Sequence, residues 1–218
     1  MGKLDIKKQQ KREALLNTAF DLFTSKGLHK TSISDIVQQA GVAKGTFYLY
    51  FEDKYDLCNK LIAHKSSQLF AKAYTSMQKE PPMDIEDKIL YLVSHIVDSL
   101  ENNTTLLTFI SKNLSWGIFK AALTTPPQSG NVDFYRIYLH MLQNGEVTFE
   151  EPELMLFFIV ELVGSSCYSA ILYEEPVPID QLKPYLFRHI RAIIEQHKIS
   201  GPEDTGESEE TTNETESV

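Results

Sequence analysis

Two cysteines, one tryptophan and nine prolines in 218 residues leave several classes of protein without support. Cys58 and Cys167 stand in no CxxC or other metal-ligand spacing, which speaks against a disulfide framework or a zinc site. Each falls in apolar surroundings and reads as a small hydrophobe, as expected in a reducing cytoplasm. No alternating strand pattern and no internal repeat is present. Glycine-rich phosphate loops, HExxH, nucleophile elbows and paired-carboxylate spacings are missing too. The expectation is therefore a non-enzyme with no catalytic residue, no metal and no cofactor. The six histidines are scattered, and His95 with Asp98 reads as a surface helix pair. Charge from residue 3 onward leaves no secretory hydrophobic region.

What is present is helical periodicity. Leu15, Leu16, Ala19, Phe20, Leu22 and Phe23 give the first helix a broad apolar face. A long helix is expected from Asp53 to about Met77, ended by Pro81-Pro82, and Ile85 through Leu100 mark the next. Further helices are expected near 104–122, 132–144, 152–173 and 180–197, with Pro152 in a first turn and Asp180 as the cap of the last. The fold class read from this is all-α. Leu154 to Leu172 carries a single charge, Glu161, and is long enough to span a bilayer. A carboxylate near its centre is costly in lipid, so the reading is a buried helix and no membrane. Gly164, Ser165, Ser169 and Ala170 leave room for a second helix to approach.

Residues 31–57 carry the densest signal. Ser32 is placed to cap a helix with Asp35 at the return position of a capping box. Ile33, Ile36, Val37 and Ala40 form one face of that helix, and Gly41 suits a left-handed stop. Only Val42 and Ala43 separate it from a second helical run beginning at Lys44. So short a turn makes two helices cross steeply, as in a helix-turn-helix. Phe47 and Phe51 point to the core, leaving Lys44, Thr46, Tyr48 and Tyr50 nearer the outer face. Lysine and hydroxyl groups at the start of such a helix suit base edges and phosphates of the DNA major groove. Lys44 suits guanine acceptors, and Gly45 permits close backbone approach. Asp53 reads as the cap of the following helix, with Lys54 in its first turn.

Charge is distributed accordingly. The chain carries −9 overall, yet residues 1–60 hold ten Lys/Arg against seven Asp/Glu, a net of +3. Residues 61–200 net −5 and the last eighteen net −7. Lys3, Lys7, Lys8, Lys11 and Arg12 cluster at the N-terminus, as an arm along a DNA backbone would. Residues beyond about 199 are rich in Gly, Glu, Ser and Thr and are expected to be disordered.

The string Phe20-Asp-Leu-Phe23, Gly27, Thr31-Ser-Ile-Ser-Asp-Ile36, Ala40-Gly-Val42, Lys44-Gly-Thr-Phe-Tyr48, Tyr50-Phe51 and Lys54 resembles the TetR family of transcriptional regulators (TetR/AcrR type). The resemblance runs from about Lys11 to Ile62. It implies an N-terminal three-helix DNA-binding domain, residues 1–55, followed by a larger helical ligand-binding and dimerisation domain, residues 56–199. The acidic tail is 200–218. By the resemblance Ser32, Ser34, Lys44, Gly45, Thr46, Tyr48 and Tyr50 form the DNA surface, and Lys54 holds a phosphate. Ala43 departs from the serine that many relatives carry as a helix cap, a loss of about 0.5–2 kcal/mol.

The resemblance further implies a homodimer through the last two helices, a double-stranded DNA operator of palindromic form, and a small-molecule inducer. Tyr91, His95, Phe109, Trp116, Phe119, Phe134, Tyr138, Met141, Phe158 and Glu161 are the expected pocket residues. Glu161, in so apolar a helix, is expected to need a partner such as Arg136, a dimer-mate group or a cationic ligand. The function expected is that of a cytoplasmic repressor released from its operator by ligand. The alternative is a ligand-independent DNA-bound adaptor acting through protein partners.

Overall fold

Local capping chemistry sets the helix ends. The computed structural model describes residues 3–113, 116–118, 134–143 and 147–199. These contain α1 (Lys3–Ser25), α2 (Ile33–Gln39), α3 (Lys44–Phe47), α4 (Lys54–Met77), α5 (Ile85–Glu101), α6 (Thr104–Asn113), α7 (Phe134–Gln143), α8 (Pro152–Leu172) and α9 (Ile179–Gln196). The fold is all-α, and no strand occurs among the described residues. The part of the expected 104–122 helix beyond residue 118 and the acidic tail, residues 200–218, lie outside the described residues.

The Ser32–Asp35 capping box forms in full. Asp35 N–H donates to Ser32 Oγ at 3.1 Å, and Ser32 N–H donates to Asp35 Oδ2 at 2.9 Å. These bonds hold the Asp35 carboxyl below its ordinary range. Gly41, at φ 66°, ends α2. Val42 N–H reaches the Val37 carbonyl at 3.0 Å and Gly41 N–H reaches that of Gln38 at 3.3 Å, a Schellman closure. Asp53 caps α4 through Tyr55 and Asp56 N–H groups, each at 2.8 Å.

One helix is short, and one helix end differs from expectation. α3 is a single turn, because Ala43 supplies no side-chain cap and Gly45 adds backbone entropy that one turn cannot offset. α9 begins at Ile179 with Pro178 as the boundary residue. Gln181 and Leu182 N–H both donate to the Pro178 carbonyl at 3.0 Å. Asp180 therefore sits inside the first turn, with its carboxylate 3.9 Å from Lys183 Nζ, and does not cap.

Two apolar cores organise the helices. One joins α1, α2, α3 and the first half of α4 to the end of α5 and to α6, around the fully buried Leu15, Leu16, Phe47, Leu57, Leu61 and Ile62. Phe20 of α1 meets Phe109 of α6 edge-on at 5.4 Å, so the apolar contact of the N-terminal helices runs well past residue 55. The other core packs the second half of α4 with α5, α7, α8 and α9. Ion pairs tie α9 to α5, with Lys183 Nζ at 2.8 Å from Asp98 and Arg191 Nε at 2.6 Å from Glu86. Asp98 thus pairs across helices with Lys183, whereas His95 stacks on Tyr91 at 6.1 Å. An antiparallel bridge, Phe149 to Lys198, fastens the end of α9 to the segment before α8.

Candidate nucleic-acid interface

The α2–α3 unit stands on two anchors. Phe47 and Phe51 are 0% and 2% exposed, their rings 5.5 Å apart, and burying each stabilises the unit by about 1.5–3 kcal/mol. With those positions fixed inward, the residues between them turn outward. Lys44 and Gly45 are exposed, Thr46 is half-buried, and Tyr48 is 53% exposed with its ring edge on Phe47. Ser32 and Ser34 are exposed at the start of α2. Ser32 Oγ accepts from Asp35, which leaves its own proton to donate outward. A Cβ built on Gly45 meets nothing within 4 Å, so nothing within this protein requires glycine there.

Tyr50 and Lys54 are placed differently from the expectation. The Tyr50 hydroxyl donates to the Lys8 carbonyl at 3.0 Å, stitching α1 to the turn after α3. Lys54 Nζ donates to the carbonyls of Leu28, His29 and Thr31, each at 3.1 Å. An ammonium has three protons, and these three carbonyls take them all, so Lys54 fixes the loop ahead of α2 and is not poised on a phosphate. Thr31, buried beneath that loop, donates from Oγ1 to the Gly27 carbonyl at 2.9 Å.

The N-terminal cations belong to a helix and not to an arm. Lys7, Lys8 and Lys11 are exposed on α1, and the Tyr50 bond brings their helix beside the α3 turn. The Lys3 side chain lies outside the described residues.

Residues 15–61 match the family model described as bacterial regulatory proteins, tetR family. Over this segment the chain is similar to transcriptional regulators of the TetR family. The chain is similar to an uncharacterized HTH-type transcriptional regulator, YvdT, of Bacillus subtilis (strain 168), with 46% identity over 63 residues, 27% of this chain and 32% of that protein. It is also similar to the HTH-type transcriptional regulator SAR0097 of Staphylococcus aureus (strain MRSA252), with 33% identity over 47% of this chain and 51% of the relative. The chain thus spans about a third to a half of the length of these curated relatives. A solved structure of the transcriptional regulator FadR from Bacillus subtilis in complex with stearoyl-CoA aligns at a TM-score of 0.59 and 19% identity, over 82% of this chain and 96% of that one. That likeness is one of fold.

The exposed α2–α3 face includes a residue that the sequence reading missed. Leu49 is 73% exposed between Tyr48 and Tyr50. Its signal was available, since Leu49 falls off the i, i+4 spacing that buries Phe47 and Phe51.

The larger helices line a partly open cavity of ≈ 180 Å³ bounded by α4, α5, α7 and α8. Of the expected pocket residues, only Tyr138 and Met141 line it. Phe119 lies outside the described residues, as does the side chain of Phe134. Tyr91 is half-buried and directs its hydroxyl to Glu80 Oε1 at 3.4 Å. His95 is half-buried, with a buried Nε2. Phe109 belongs to the N-terminal core. Trp116 sits edge-on to Phe157 at 5.1 Å. Phe158 is 44% exposed, and Glu161 is exposed on the same helix. Within a single chain that carboxylate is exposed, so of the expected partners a dimer-mate group is the one its position favours. Aromatic content misdirected the choice, because the wall is built mostly from aliphatic positions such as Ile89, Leu92 and Val93.

Proposed function

We propose that this TetR-family protein is a homodimeric DNA-binding repressor that leaves a two-fold operator when a small molecule enters the α4–α5–α7–α8 cavity. The observation that carries the reading is the exposed α2–α3 face. Lys44, Tyr48, Ser32 and Ser34 point outward from an anchored core, and Gly45 leaves open space. Basic and hydroxyl groups of this kind contact phosphates and base edges. Exposed Lys7, Lys8 and Lys11 extend the positive surface along α1. The protein would act in the cytoplasm, where its DNA lies.

Dimerisation is supported by α8. It is apolar around most of its circumference, with a mean hydropathy of 1.8 over its best window, yet only 33% of that window is buried. A helix of that kind is ordinarily covered. Leu154 and Phe158 stand exposed one turn apart, and exposed Tyr185 of α9 adds to the uncovered surface. A second copy that covers this surface gives the two-fold symmetry that a palindrome requires. The cavity favours gating by a ligand over a ligand-independent adaptor.

Fluorescence-anisotropy titration of the DNA flanking the protein's own gene, across a salt series, tests the reading. Tight binding that resists competitor DNA, falls steeply with salt and disappears in Tyr48→Ala is expected. Binding indifferent to sequence in both proteins would overturn it.

A further inference from the structure

The uncovered surface of α8 and α9 places Glu161 and Arg188 at the same height. The two helices run antiparallel, joined through residues 173–178 at one end and by the Phe149–Lys198 bridge at the other. Both rise by about 1.5 Å per residue, so the middle of one stands beside the middle of the other. Glu161 is one residue from the midpoint of Pro152–Leu172, and Arg188 is next to the midpoint of Ile179–Gln196.

Each residue also lies on the outer stripe of its helix. On α8, exposed Leu154, Phe158, Glu161 and Ser165 recur at helical spacing, turned away from buried Leu156, Ile159 and Ala170. On α9, exposed Tyr185, Arg188 and Ala192 are turned away from buried Leu186, Ile190 and Ile194. The other cations of α9 face α5, with Lys183 on Asp98 and Arg191 on Glu86. The Arg188 guanidinium lies over the Tyr185 ring at 5.6 Å, and among the described residues no carboxylate pairs with it and no cation pairs with Glu161.

A second copy that covers Leu154 and Phe158 also covers Glu161, one turn further on. Gly164, beside it, is exposed, and a Cβ built there meets nothing within 4 Å, so another helix can come close at this level. A carboxylate taken out of water in an apolar seam needs a counter-charge. An interface that uses the whole length of both helices has its two-fold axis near their middle. Such an axis keeps midpoint residues at one height whether it runs along the helices or across them, so Glu161 and Arg188 face each other's level in the opposite copy.

We propose, on the homodimer reading above, that Glu161 pairs with Arg188 of the partner subunit, twice per dimer. The pair sets the register of an otherwise apolar seam and selects a second copy of this chain over other apolar helices. Apolar contact alone tolerates sliding and unrelated partners, whereas a wrong register or partner leaves a charge buried without its mate.

The experiment reverses the charges in the full chain and reads association by sedimentation velocity, with one variant carrying a fluorophore. Glu161→Arg alone sets like charges against each other across the seam, and so does Arg188→Glu alone. Each is expected to weaken the dimer by at least about a hundredfold, with helix content by circular dichroism unchanged because both positions are exposed. Mixing the two variants brings opposite charges together at both places, and the heterodimer is expected to form nearly as tightly as the parent dimer. Glu161→Gln covers the case in which a reversal fails to fold. It is expected to weaken the dimer by at least about tenfold, and an undiminished dimer overturns the pairing. A dimeric parent whose reversed variants stay dimeric, or whose mixed variants do not associate, likewise overturns the pairing and leaves the homodimer standing. Recovery only when both reversals share one chain places the pair within a protomer and also overturns it. A monomeric parent overturns the pairing and the homodimer together.

Discussion

Lys54 Nζ reaches the Thr31 carbonyl at 3.1 Å across 23 positions of sequence, and the same ammonium holds Leu28 and His29. The start of α4 is thereby fixed to the loop that launches α2. A movement of α4 must carry the α2–α3 unit with it or break three charge-assisted bonds.

Replacing Lys54 separates positioning from phosphate binding. Lys54→Met is expected to destabilise the protein by about 1–3 kcal/mol and to weaken DNA binding. The slope of log K against log salt is expected to stay the same, because no phosphate contact is lost. A slope shallower by about 0.9 would show a direct phosphate contact instead. Urea unfolding and the salt series measure the two effects independently.

Gly45 offers a cleaner separation of fold from binding. Its Cβ position is open and its φ is not positive, so Gly45→Ala is expected to leave stability unchanged or raise it by up to about 1 kcal/mol. If DNA packs against this backbone, the same methyl lowers operator affinity. Unchanged affinity would move the DNA contact away from α3.

Phe158 tests the dimer surface. Phe158→Glu places a charge on an exposed position and is expected to leave the monomer folded. A second copy can no longer cover α8, so sedimentation velocity is expected to show a monomer where the parent sediments as a dimer. Operator affinity should fall by orders of magnitude as one half-site is lost. An unchanged sedimentation coefficient would remove α8 from the interface.

The two thiols give a pH signature. Burial pushes Cys58 up to about 11 and Cys167 up to about 12, from an ordinary 9.0. Both remain protonated in the native protein at pH 8, where a disulfide reagent is expected to react only as fast as the protein opens, and rapidly in urea. The unfolded chain ionises these thiols near pH 9 while the fold keeps them neutral. Their contribution is therefore complete below pH 9 and declines as pH rises towards 11–12. Rapid native labelling at pH 8 would contradict the burial.

Much of the candidate interface was legible in the chain because it is local. A capping box, a glycine stop and an aspartate cap each act within four residues, and Phe47 and Phe51 announce the buried side by spacing alone. The internal partners of Lys54 and Tyr50 were not legible, for the opposite reason. Their partners lie 23 to 42 positions away, and one-dimensional spacing does not encode which carbonyl a long side chain finds. The cavity failed in the same way, since aliphatic positions that line a void and those that fill a core share one periodicity. The exposure of Glu161 in a single chain was not legible either, because periodicity does not say which face of an all-apolar helix its own chain leaves open.

The unbroken course of α4 sets a mechanical ratio. From Lys54 to the cavity wall at Phe70 the helix is a rod of about 24 Å. Pivoting it by about 5° at the cavity moves its far end by about 2 Å. In a two-fold assembly the displacements of two such rods add, changing the separation of the DNA-reading turns by several ångströms against a helical repeat of about 34 Å. A misfit of that order exceeds the tolerance of a hydrogen bond, so a small molecule between α4 and α5 needs to impose only a few degrees.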